Sequence, residues 1–173
     1  MKIRAAFAVF SALLACASSR ADFIWDGSVD DDFLEDGNWV GGVAPGSNVG
    51  DTLVFGDTMG GILTPDVAGN AFTNITAITF TAADGSYTIG DTVMGGSFSF
   101  IDGGSITNDG LVDQTINVDL IATGSDFLLT AVMANLDIGG TIDLSDSGGV
   151  LMTVGGDFDT ILNGVISGGG GLL

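Results

Sequence analysis

The side chains able to do chemistry in this sequence are nearly all carboxylates. Asp22 to Leu173 carries 21 Asp and the single Glu, Glu35, with no Lys, Arg or His. The three basic residues, Lys2, Arg4 and Arg20, all lie in front of that stretch, so the formal charge of −19 understates its acidity. The lone Cys16 lies in front as well. From Asp22 onward there is no imidazole base, thiolate, lysine nucleophile or arginine clamp. The parts for a Ser-His-Asp triad, a Cys-His pair or a phosphoryl-transfer site are therefore missing.

Two carboxylate chemistries remain. Glycoside hydrolysis needs only two acids roughly 5–9.5 Å apart, but 22 acids form such pairs by chance, and no enzymatic activity is expected. Calcium fits better, because hard oxygen ligands are plentiful. The densest group is Asp30, Asp31, Asp32, Glu35 and Asp36. Against an EF-hand loop, Asp32, Asp36 and Gly37 fall at positions one, five and six. Leu34 and Val43, at positions three and twelve, cannot be ligands, and the Gly-Gly-x-Gly-x-Asp calcium roll is absent. A calcium ion would have to sit in an irregular loop, and the plainer reading is a solvated acidic turn. Surface charge of one sign excludes nucleic acid and anionic membranes as partners and favours divalent cations, salt or basic partners.

The leading segment explains where the cations went. Lys2 and Arg4 form a positive n-region, and Ala5 to Ala17 is an apolar run too short to span a bilayer, which takes about 20 residues. Ser19-Arg20-Ala21 places small residues at −3 and −1, so signal cleavage is expected between Ala21 and Asp22. Leu13-Leu14-Ala15-Cys16 offers an alternative, a lipobox that would anchor the chain through Cys16. After cleavage at Ala21 no cysteine is left, so the exported body must be held by burial and backbone hydrogen bonds. Hydrophobic residues make up 46% of the chain and mean hydropathy is +0.52, which favours a folded domain over an acidic disordered one.

The body reads as β throughout. Short Ile, Val, Leu, Phe and Thr runs alternate with Asp, Asn, Ser and Thr, and Gly or Asp-Gly closes each run. Strands are predicted at 52–55, 75–81, 86–89, 97–101, 115–122, 126–131, 135–138, 141–144, 151–154 and 160–166. Ile116, Val118 and Leu120 alternate with Thr115, Asn117 and Asp119, giving one buried and one wet face. Asp84-Gly85, Asp102-Gly103 and Asp109-Gly110 could turn hairpins. The Gly-Gly pairs at 60–61, 95–96, 139–140, 148–149 and 155–156 instead suit the corners of a solenoid. Residues 22–50 differ, holding Trp25, Trp39 and the acidic run. Phe23, Trp25, Phe33 and Trp39 suit an end cap, or, on another reading, a sugar-stacking surface.

Three segments together resemble a known family: Trp25-Asp26-Gly27, Asn38-Trp39-Val40-Gly41-Gly42-Val43-Ala44-Pro45-Gly46, and Gly50-Asp51-Thr52-Leu53-Val54-Phe55. They look like the opening of large bacterial surface proteins with autotransporter-associated β-strand repeats. Residues 135–142 and 162–172 are similar to the lead-in to those repeats. The family's Ser-Gly-x-Gly-Gly-Leu pattern continues into further strands, whereas this sequence stops at Leu172-Leu173. The resemblance implies a passenger-type β-helix carried to the cell surface, with this chain as an N-terminal portion or a truncated product.

The expected organisation is a signal peptide (1–21), an N-terminal cap (22–50) and a β-solenoid (51–173). The expected fold is all-β, a right-handed parallel β-helix, with a β-sandwich as alternative. The expected role is non-enzymatic: an exported structural or adhesive surface module, or a calcium-dependent or carbohydrate-binding adhesive domain. Its location would be secreted, periplasmic or cell-surface, not transmembrane after cleavage, with a glycan or cell-surface partner. Outward Asp residues stacked coil upon coil would repel one another, so calcium or salt is expected to raise stability.

Overall fold

The computed structural model describes residues 22–57, 61–67, 69–81, 85–90, 95–124, 126–145, 149–169 and 171–172. Among them the chain forms β1 (Phe23–Trp25), β2 (Thr52–Phe55), β3 (Ala71–Thr81), β4 (Thr88–Ile89), β5 (Ser97–Asp109), β6 (Gln114–Ile116) and β7 (Asp119–Ala122). It continues with β8 (Asp126–Ala131), β9 (Leu136–Ile138), β10 (Ile142–Asp143), β11 (Leu151–Gly156), β12 (Thr160–Leu162), β13 (Ile166–Ser167) and β14 (Gly171–Leu172). A single 3-10 turn, Asp36–Asn38, interrupts this pattern.

Every pairing between these strands is parallel. Parallel neighbours need a crossover between them, and here the crossover is the rest of a coil. One face stacks β1, β2, the end of β3, the end of β5, β8, β11 and β14. A second stacks β4, β6, β9 and β12. A third stacks the start of β3, the start of β5, β7, β10 and β13. The chain visits first, second and third face in turn and then steps to the next coil. This is a parallel β-helix, and the sandwich alternative falls with the absence of antiparallel strand pairs. The one antiparallel contact among the described residues is an isolated bridge between Trp25 and Trp39.

Register puts like beside like along the interior. Leu53, Ile78, Ile106 and Leu129 follow one another up the first face, and Ile89, Ile116, Ile138 and Leu162 up the second. On the third face the column is Phe72, Phe98, Leu120 and Ile142; Ile166 continues the register but is 40% exposed. Burying each such side chain stabilises by about 1.5–3 kcal/mol, and a coil can bury its inner row only against the next coil. Aromatic pairs thicken the early part: Phe55 with Phe80 at 5.5 Å, Phe72 with Phe98 at 5.9 Å and Phe100 with Phe127 at 5.0 Å.

The strands at 52–55 and 126–131 lie where the alternation predicts. Others do not. β3 begins at Ala71, and Asn74, with φ of 59°, bends it so that it serves both the third and the first face. β5 runs on past Ile101, with Gly103 at φ 76° making the corner that Asp102-Gly103 suggested as a hairpin. The predicted strand 115–122 is two strands, β6 and β7, separated by a corner at Asn117-Val118. Alternation passes through unbroken because Ile116, Val118 and Leu120 all stay buried. The run 160–166 splits in the same way into β12 and β13.

The outward Asp residues are not stacked as expected. Asp119 lies beside Ser97, Asp137 between Thr115 and Ile161, and Asp143 between Ile121 and Ser167. Along the middle of the first face the outward columns are Thr52, Ala77, Ser105, Leu128, Thr153 and Ile24, Val54, Thr79, Thr107, Thr130, Gly155, without a charge. One parallel bridge alone, Asp32 to Asp66, sets acid beside acid among the described pairs. Like charges on adjacent strands destabilise, and this register avoids nearly all of that cost.

Candidate functional site

The acidic loop is organised around Asn38, which is fully buried. Its Oδ1 accepts from the N–H groups of Val29 and Asp30 at 2.9 and 3.0 Å. Its Nδ2 donates to Asp30 Oδ1 at 2.8 Å and to the Asp32 carbonyl at 2.9 Å. The carboxylates around it turn to local backbone donors. Asp30 accepts from the Asp32 N–H at 3.0 Å, Asp32 from Leu34 at 2.9 Å, Glu35 from Gly37 at 3.3 Å and Asp36 from Ala44 at 2.9 Å. Asp and Glu satisfying the backbone two residues on is turn chemistry. Among the described residues no three Asp, Glu, His or Cys gather closely enough to hold a metal ion. Asp31 stands apart, its carbonyl accepting from the Asp66 N–H at 2.6 Å.

The aromatic residues of this region face inward. Trp25 and Trp39 are each 1% exposed and meet edge to face at 5.2 Å. Phe33 sits 4.9 Å from Trp39 and 4.7 Å from Phe72, which joins the cluster to the solenoid interior. Trp25 Nε1 donates to the Ile62 carbonyl at 2.8 Å and Trp39 Nε1 to the Phe33 carbonyl at 2.9 Å. Phe23 is half-buried, edge-on to Trp39 at 6.2 Å. Neither indole has a free face on which a sugar ring could stack. Ala21, Cys16 and the rest of the leading segment lie outside the described residues, and Asp22 is the first described, in irregular backbone.

Beyond the loop, carboxylates and amides link coils. Asp119 Oδ1 accepts both the N–H and the hydroxyl of Thr141, at 2.9 and 2.7 Å. Asp113 Oδ1 accepts from the Asn135 N–H at 2.9 Å, and Asn135 Oδ1 from the Asp159 N–H at 3.1 Å. Asn163 Nδ2 donates to Asp137 Oδ1 at 2.7 Å. Each of these bonds ties one coil to the next. Sequence reading missed these partners because they lie 22 to 26 residues apart without a fixed period.

One concave feature lies on the outside of the solenoid, where the second face meets the third. A depression of about 330 Å³ is lined by Asp31, Thr64, Asp66, Thr88, Gly90 and Asn117. A second, of about 200 Å³, is lined by Asn117, Asp119, Gly139, Gly140 and Thr141. Asn117 lines both, so the two adjoin along the same corner. Backbone bonds order it along the axis: Asp66 N–H to Asp31, Gly90 N–H to Pro65, Asn117 N–H to Ile89 and Gly139 N–H to Ile116, at 2.6 to 2.9 Å. Each step is one coil. A Cβ on Gly139 would fall 2.4 Å from Asn117 Oδ1, so this glycine leaves room for the amide to lie across the corner.

No helix among the described residues is long and apolar enough to cross a membrane. Comparison with protein-family models, with curated proteins and with solved structures found no match to this chain.

Proposed function

We propose that the chain is a non-enzymatic, exported surface module, a passenger-type β-solenoid that acts as stalk or adhesive surface. The observation that carries this reading is where the carboxylates go. Asp30, Asp32, Glu35, Asp36, Asp113, Asp119 and Asp137 each accept a hydrogen bond that holds a turn or joins two coils. Acids used in this way build a scaffold. Catalysis by a carboxylate pair calls for two acids converging on one substrate bond. The absence of Lys, Arg and His after Arg20 supports the same conclusion, as does the resemblance of 25–55 to autotransporter-associated repeat proteins.

The test has two parts. The full chain is expressed in a Gram-negative host, and the exported product is weighed by mass spectrometry. The expected N-terminus is Asp22; an unprocessed chain, or one lipidated at Cys16, contradicts the proposed route. The processed protein is then fixed to beads and assayed for cell retention and for glycan cleavage. Retention without cleavage is expected. Cleavage abolished by a single Asp→Asn substitution would overturn the non-enzymatic reading.

A further inference from the structure

We propose that the corner groove from Asp31 to Thr141 binds a linear, uncharged glycan lying along the solenoid axis. This deepens the adhesive part of the reading above and rests on it. The groove's shape sets the shape of its ligand. It crosses the coils that carry Asp31, Asp66, Gly90, Asn117 and Gly139, each step about 4.8 Å. A ligand that fills it is a rod parallel to the axis. The 330 Å³ part lies within the usual size of a ligand site, about 300–1,000 Å³.

Its chemistry is that of an acceptor-rich wall with one adaptable amide. Asp31, Asp66 and Asp119 carry carboxylates, and Thr64, Thr88 and Thr141 carry hydroxyls. The Asn117 side chain, at the centre, has no hydrogen-bond partner among the described residues and offers both donors and an acceptor. The ligand must bring many donors, tolerate an acceptor opposite and carry no negative charge. Sugar hydroxyls meet all three conditions. Glycans bearing carboxylates or sulfates are repelled.

A basic peptide is the competing occupant, and the backbone disfavours it. Extended peptides bind sheets by adding to a free strand edge. β6 and β9 are paired on both sides, and β4 is bonded to β6 and, through Thr88 N–H, to the Leu63 carbonyl at 2.9 Å. The peptide would be left with ion pairs to exposed carboxylates, which contribute little.

The experiment titrates the processed full-length protein calorimetrically with linear uncharged hexasaccharides of several linkages, with hexagalacturonate and with hexalysine. At least one uncharged hexasaccharide is expected to bind with a Kd of about 1 mM or tighter. Asn117→Ala and Thr88→Val should each weaken it by about tenfold, the loss of one hydrogen bond, with the thermal melt unchanged. Should Asn117→Ala disturb the melt, Thr88→Val, which keeps shape and volume, carries the test. Failure of every uncharged hexasaccharide, or binding indifferent to both substitutions, overturns the proposal. So does hexalysine binding that the same substitutions abolish. Because binding is read on purified protein, a failure of cell retention leaves this result standing and readable by itself.

Discussion

Asn108→Ala removes an inward amide that clamps two successive corners, and its cost follows from the bonds it breaks. Asn108 is fully buried in β5, in the column where Phe80 precedes it and Ala131 follows. Its Nδ2 donates to the carbonyls of Val112 and Ala134 at 3.2 Å and of Asn135 at 2.8 Å. Its Oδ1 accepts from the Gly110 N–H at 3.0 Å. Alanine leaves that N–H and the Ala134 carbonyl facing a small void, while the Asn135 carbonyl keeps the Gln114 N–H at 3.0 Å. A buried polar group deprived of its partner costs about 1–3 kcal/mol, and the donor is hardest to satisfy otherwise. A loss of about 3 kcal/mol is expected, which for a chain of this length lowers Tm by roughly 6–12 °C. The assay is urea unfolding of the processed protein followed by circular dichroism, with Thr107→Ala as control. Thr107 is the outward neighbour on the same strand, and its truncation should stay within about 0.5 kcal/mol of the wild type. If Asn108→Ala costs no more than Thr107→Ala, the corner is not buried.

Trp39→Ala, which empties the centre of the aromatic cluster, should cost about 3–5 kcal/mol in the same unfolding assay; a cost under 1 kcal/mol would mean the cluster does not close the first coil. Gly140→Ala should destabilise more than Gly139→Ala. Its Cβ would meet the Val118 carbonyl oxygen at 2.0 Å, whereas that of Gly139 meets only the movable end of Asn117. Equal melting of the two variants would contradict the described corner. Because acid faces acid at one described bridge only, Asp32 to Asp66, calcium should raise Tm no more than sodium chloride of equal ionic strength. A calcium-specific rise, lost in Asp30→Asn or Asp32→Asn, would make the Asp30–Asp36 loop a metal site after all.

The sequence revealed the class of fold and hid its wiring. Asp126–Ala131 was legible to the residue because Phe127, Leu129 and Ala131 alternate with outward residues over a full strand. Corners were harder. Asp102-Gly103 is a hairpin signal in its dipeptide, yet in β5 it bends one strand from face to face. At Asn117-Val118 there is no turn signal, because a solenoid corner can keep inward alternation through the bend. Tyr87, Gln114 and Asn108 bond between coils, with Gln114 Oε1 accepting from the Tyr87 N–H at 2.6 Å across a separation of 27 positions. Nothing in a single sequence without a strict repeat fixes that offset. The same blindness concealed the groove, whose Asp31, Asp66, Thr88 and Asn117 come from four different coils. The acidic cluster at 30–36 was conspicuous for the opposite reason, being local in sequence, and Asp30, Asp32 and Glu35 cap their own turns.

The parallel, in-register stacking of coils is most directly tested by cysteine cross-linking on the uncharged first face. Ser105 pairs with Leu128 and Thr107 with Thr130, with strand spacing of about 4.8 Å, inside the usual Cα separation for a disulfide of about 4.4–6.8 Å. Four double-cysteine variants of the processed protein are oxidised and scored by mass spectrometry. Parallel in-register coils give rapid disulfides in 105/128 and 107/130, and slow or absent ones in 105/130 and 107/128. The reverse pattern, which an antiparallel pairing of these strands would produce, would contradict that stacking.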